Sequence, residues 1–237
     1  MNGNRVNQEG HAYAGSQRQV QAYVNRRRAE LNKAIMKELS SYRITDIQWV
    51  SPLEAEKFRE YKDTDFLNVL GLNRVEKKLK KFWPAKGPVW DALATIDFEN
   101  SDRGVILVEA KSHRMELFST CMAASNESKK IINASLSLTK AWFGVDPNKD
   151  WTRPLYQFAN RLAHLHFLRQ ICGIKAWLVN IYFINDPYRP TSRKQWNDFL
   201  REVRTELGLN RSFQHNHNCQ VDPRTFCLDL FLLGEST

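Results

Sequence analysis

Three residues carry the chemistry this chain offers: Asp91, Glu109 and Lys111. Asp91 opens an apolar run that reaches Phe98, and Glu109 and Lys111 close a second, Gly104-Val-Ile-Leu-Val-Glu-Ala-Lys111. Side chains alternate faces along a strand, so Glu109 and Lys111 point the same way. Both end a segment that is apolar on either face, where an unpaired charge is costly. Two carboxylates and a lysine at the ends of neighbouring buried strands read as a divalent-metal site suited to phosphodiester chemistry. Such hydrolysis needs an activated water, neutralised charge on the pentacoordinate phosphorus and a stabilised leaving oxygen. Mg²⁺ (or Mn²⁺) prefers hard carboxylate oxygens, so Asp91, Glu109 and the carbonyl of Ala110 are the expected ligands. Lys111 is a point charge that could orient the water or stabilise developing negative charge. The plain structural alternative is a strand-end salt bridge between Glu109 and Lys111, with Asp91 capping a turn.

The elements that must position these groups follow from pattern. Asn100 to Gly104 is a polar turn between the two apolar runs, which predicts an antiparallel hairpin. Arg153 to Cys172 reads as a helix, with Pro154 in its first turn and Gly173 just past its end. At 3.6 residues per turn, Arg153, Gln157, Asn160, Arg161 and His164 fall on one narrow stripe of an otherwise apolar helix. Such a helix is buried, so its stripe must face partners or a wet cleft. Gln157 could hydrogen-bond near the nucleophile, while Asn160 and Arg161 could bind a substrate phosphate. Against this, buried amides are often satisfied by backbone, and Arg161 could instead pair with a core carboxylate. His113 shares the face of Lys111 if the strand continues, and could then touch substrate. Asp97 and Glu99 share the face of Asp91 by parity, and read as the exposed end of that strand.

Elsewhere the chain is predicted as follows. Residues 1–16, rich in Asn, Gln and Gly, predict a disordered arm. The remainder, 17–237, predicts one domain with an N-terminal helical elaboration. Gln17 to Leu39 reads as a helix carrying Arg26-Arg27-Arg28, and Ile44 to Val50 as a short strand. Ser51-Pro52 starts a helix with Glu54 and Glu56 in its first turn. Phe66 to Phe82 is a helix interrupted near Gly71, with Lys77, Lys78, Lys80 and Lys81 on its exposed side. Further helices are expected at Asn126 to Phe143 and Thr191 to Leu207, and strands at Lys175 to Ile184 and Arg224 to Leu233. His215, His217 and Cys219 do not match zinc spacings and read as a polar loop. The length of 237 residues suits a single sizeable α/β core, and 42% hydrophobic content excludes a disordered chain. A net charge of +9 favours a polyanionic partner, nucleic acid before an acidic membrane surface. Four cysteines without a CxxC pair, no apolar leader and no transmembrane-length segment predict a cytoplasmic protein with no membrane partner.

Asp91 and, 18 positions on, Glu109-Ala110-Lys111, with the Gln157 to Arg161 stripe on a following helix, resemble the PD-(D/E)xK nuclease superfamily. The segments GPVWDAL, VLVEAKSH and YQFANRLAHLHFLR are also similar to a group of hypothetical bacterial proteins. The likeness spans about Phe82 to Asp186. It implies an α/β restriction-endonuclease-like core, with a mixed central sheet that contains an antiparallel hairpin and is flanked by helices. The activity implied is Mg²⁺-dependent cleavage of nucleic acid, DNA favoured, and a homodimer would allow both strands to be cut. An upstream glutamate often completes such sites, and Glu76 is the candidate by position. Where the pattern has proline before the aspartate, this chain has Trp90, with Pro88 two residues earlier. A non-catalytic nucleic-acid-binding or scaffold domain on the same fold is the alternative.

Overall fold

A computed structural model describes residues 6–210 and 221–235. His215, His217 and Cys219 lie outside the described residues. Within the stretch expected as a disordered arm, Val6 and Ala12 form an isolated bridge. The side chain of Gln21 clasps that turn, accepting from the Ala12 N–H and donating to the Gly10 carbonyl.

In chain order the elements are α1 (Gly15–Asn25), α2 (Arg28–Glu38), β1 (Ile44–Ser51), α3 (Asp63–Val69), α4 (Glu76–Phe82), β2 (Ala92–Phe98) and β3 (Arg103–Lys111). They continue with α5 (Asn126–Phe143), α6 (Tyr156–His166), β4 (Ala176–Ile184), α7 (Arg193–Leu207) and β5 (Cys227–Leu233). The five strands form one mixed sheet in the order β1-β2-β3-β4-β5. β2 is antiparallel to both β1 and β3, whereas β3, β4 and β5 run parallel. Parallel neighbours require long crossovers, and β3 to β4 is crossed by α5 and α6. The expected α/β class, mixed sheet and central hairpin are all present.

Helices cover both faces of the sheet. Tyr23 of α1 packs on Phe183 of β4, with ring centroids 5.6 Å apart. Tyr182, one residue earlier, points to the other face and meets Trp196 of α7 at 5.0 Å. Arg161 of α6 reaches Glu109 on that same second face, because Glu109 pairs with Asn180 and residues of equal parity share a side. Covered on both sides, β3 and β4 must be apolar nearly throughout, and each large buried side chain contributes about 1.5–3 kcal/mol.

Several predicted elements are shorter than their patterns suggested. The single helix expected from Gln17 to Leu39 is broken at Arg26 and Arg27. There the side chain of Asn25 donates to the carbonyl of Pro52 and the chain turns. After Ser51-Pro52 only a single 3₁₀ turn forms, Glu54–Glu56. The helix expected at Phe66 to Phe82 is two short ones, α3 and α4, with Gly71 between them at φ 71°. The helix predicted from Arg153 begins only at Tyr156, and its last part is a π turn, Phe167–Ile171. Residues before Tyr156 are drawn away by backbone pairing: Ser119 N–H donates to Pro154, and Cys121 N–H to Thr152. Arg153 therefore leaves the stripe and pairs with Asp150 at the surface. Among the described residues, no helix is long and apolar enough to cross a membrane.

Candidate active site

The end of β3 is where the polar groups meet. Register pairs Ala92 with Val108, so the next position places Asp91 across from Glu109 on the same face. Asp91 accepts the backbone N–H of Ala110 at 2.7 Å. The N–H and C=O of one strand residue point to the same side, so the Ala110 carbonyl also faces the Asp91 side. Glu109 and Lys111 are both buried, and Asp91 is half-buried. Solvent therefore reaches this group of three through Asp91.

Glu109 is fully engaged. One carboxylate oxygen contacts Lys111 Nζ, and the other accepts from Arg161 Nε at 2.5 Å. Lys111 Nζ also donates to Gln157 Oε1 at 3.2 Å, which ties α6 to the strand end. Gln157 is set at the start of α6 by its own backbone N–H, which donates to Ser119 Oγ at 2.7 Å. Arg161 in turn donates to the side-chain oxygen of Asn160 at 2.9 Å and to the carbonyl of Val89 at 2.7 Å. Its guanidinium lies over the Trp90 ring, 4.8 Å from the centroid. Asn160 thus positions Arg161, and Arg161 pairs with the core carboxylate, so neither presents a free group to substrate in this state. His113 is not brought to the group. It follows β3 in a loop, with Nε2 3.6 Å from Glu116 and its ring beside Tyr188.

The two carboxylates differ sharply in electrostatics. Burial raises the pKa of Glu109, but the charges of Arg161 and Lys111 outweigh it and hold the carboxyl below its ordinary value. Asp91 has no such pairing: burial first, and then the negative charge of Glu109, push it up to about 8. Lys111 and the Ala110 N–H oppose that rise only in part, and Glu60 adds to it. With no metal ion bound, burial and Glu109 favour the protonated form of Asp91 at neutral pH.

Glu60 carries no signal in the sequence. The bridge between Tyr61 and Trp90 sets Glu60 across from Asp91, and Gln17 of α1 donates to it at 2.9 Å. No sequence pattern announces it, since an isolated bridge between loops carries no periodicity. Glu76, the expected upstream acid, begins α4 and is not among the groups that perturb Asp91. Asn180 does leave a signal, as the one amide within the apolar strand Ala176–Ile184. It lies beside Glu109 on β4 and donates to Asp229 at 3.0 Å. Among the described residues, no group of three or more His, Cys, Asp or Glu is arranged to hold a metal ion. The oxygens at this strand end that could hold a cation are those of Asp91 and Glu109 and the Ala110 carbonyl, with Glu60 across from Asp91. Compared with known proteins, the chain matches no family model, no curated protein and no solved structure.

Proposed function

We propose that the protein is a divalent-metal-dependent nuclease of PD-(D/E)xK type, hydrolysing phosphodiester bonds in nucleic acid, with DNA favoured. The observation that carries this reading is the pairing of Asp91 with Glu109 at the strand end, with Lys111 Nζ held between Glu109 and Gln157. The sheet agrees with a restriction-endonuclease-like core: an antiparallel hairpin bears Asp91, Glu109 and Lys111, and parallel strands follow.

The donor set suits Mg²⁺ or Mn²⁺. Asp91 and Glu109 supply hard oxygens, the Ala110 carbonyl faces the same side, and a dication would offset the burial and the repulsion that raise the Asp91 carboxyl. When bound, such an ion supplies Lewis-acid stabilisation of phosphate charge and makes water more acidic. Lys111, fixed at Nζ by Glu109 and Gln157, then meets the attacking water or the charge developing on the phosphate. Gln157 keeps its amide N–H₂ for the same region, since its oxygen accepts from Lys111. Arg161 must release one Glu109 oxygen, and once released it is a guanidinium at the site edge that matches a phosphate bidentately. The net charge of +9 and the lysines of α4 favour a polyanion.

The grip of Arg161 and Lys111 on both Glu109 oxygens favours a second reading, a non-catalytic nucleic-acid-binding or scaffold domain. Crystals soaked in Mn²⁺ separate the two. The nuclease reading expects an anomalous peak between Asp91 and Glu109, with Arg161 withdrawn. An intact Arg161–Glu109 pair with no peak, in protein that still binds DNA, would support the binding domain.

A further inference from the structure

Beside the candidate active site lies a cavity of about 210 Å³, lined by Asp63, Thr64, Lys80, Trp83, Gly87 and His164 among others. Its floor is an unusual group. His164 is 1% exposed and ringed by Phe66, Trp83 and Trp90, with the Trp83 centroid 5.0 Å away. Its Nδ1 lies 2.8 Å from the backbone carbonyl of Asn160. A carbonyl can only accept, so Nδ1 carries the proton and Nε2 is left as a lone pair. Among the described residues nothing pairs with Nε2, which looks toward Gly87: a Cβ added there would lie 3.6 Å from it. Burial, which pushes His164 down to about 3, keeps the ring in this neutral, accepting form.

We propose that this cavity receives one nucleobase of the bound nucleic acid strand, whose ring N–H or amino group donates to His164 Nε2. The proposal rests on the nuclease reading of the neighbouring site. Size favours a single ring system, because about 210 Å³ is below the ~300–1,000 Å³ of pockets for drug-sized ligands. An orphan acceptor beside Trp83, which lines the cavity with it, fits a flat heterocycle that bears an N–H, as in enzymes that draw a base out of the stack. Position favours a base too. Gly87 is four residues before Asp91 on a continuous segment, and the intervening Val89 carbonyl is held by Arg161. Lys80 stands at the cavity among the other lysines of α4, where the strand's phosphates would pass. Gly87 keeps the cavity open: an added Cβ would come 3.3 Å from both Asp63 Oδ1 and Trp83 Cδ1, a tight contact that narrows the entry.

The test is equilibrium binding of single-stranded deoxyoligonucleotides to the full chain in EDTA, so that cleavage plays no part. A mixed-sequence strand is expected to bind about tenfold more tightly than an abasic deoxyribose-phosphate strand of equal length. In ¹⁵N-histidine-labelled protein, the His164 Nε2 resonance should move with the base-bearing strand and stay still with the abasic one. In Gly87→Ala the base-bearing strand should bind no better than the abasic strand binds wild type. Equal binding of both strands to wild type, or an unmoved His164 resonance, overturns the pocket and leaves the nuclease reading standing. If neither strand binds, the pocket and the nucleic-acid reading of the neighbouring site fall together.

Discussion

Asp91→Asn offers a quantitative handle on the site that does not depend on any activity. The substitution keeps the shape and an oxygen to accept the Ala110 N–H, but removes the titration. In the fold the Asp91 carboxyl is raised from its ordinary 3.8 to about 8. A group raised on folding contributes stability that is fully present below its unfolded pKa and is lost as pH rises through its folded pKa. The stability that wild type loses between pH 4 and 8 would be about 6 kcal/mol at about 1.4 kcal/mol per pH unit. Asp91 is half-buried, so solvent screens part of this, and about 2–3 kcal/mol is the realistic share. Urea denaturation in EDTA across pH 4 to 9 should therefore show wild type falling relative to Asp91→Asn, with the gap opening through neutral pH. Mn²⁺ should close the gap in wild type by taking the place of the proton. Parallel pH curves for the two proteins would refute a raised Asp91 carboxyl in the fold.

Other expectations follow from particular interactions. Arg161→Met leaves Glu109 buried with Lys111 as its sole cationic partner, and should cost about 3 kcal/mol in urea denaturation. Adding Glu109→Gln to that variant should recover much of the loss. Gly104→Ala puts a Cβ 2.9 Å from Trp177 and 3.1 Å from the Lys175 carbonyl, so overpacking of about 1–3 kcal/mol should lower the melting temperature. Replacing Lys77 and Lys81 of α4 by Ala should weaken DNA binding without sequence preference. It should also flatten the dependence of log affinity on log salt by about one unit for each phosphate no longer neutralised, measured by fluorescence anisotropy.

The sheet is largely legible in the sequence because its information is local. β2, β3 and β4 are continuous apolar runs, and the polar turn Asn100 to Gly104 gives the hairpin away. The bounds of α5 are legible too, since Ser125 caps its start and Gly144 ends it in the left-handed region. The catalytic candidates are legible for a similar reason: charges at the end of an all-apolar strand stand out. What stays hidden depends on distant pairing. Nothing near Tyr156 says that Ser119 will cap the helix there and pull Arg153 off it. The sequence leaves the partner of Arg161 open between a phosphate and Glu109, because only the crossing of α6 over β3 sets that distance. Glu60 reaches Asp91 through an isolated bridge, which leaves no mark on periodicity.

Cleavage by purified protein tests the central claim most directly. DNA incubated with wild type and Mg²⁺ or Mn²⁺ should be cut, and EDTA should stop the reaction. Asp91→Ala, Glu109→Ala and Lys111→Ala should each abolish cutting while still unfolding cooperatively. Intact DNA with wild type under every divalent ion, or cleavage that survives all three substitutions, would contradict the claim that this strand end is a nuclease centre.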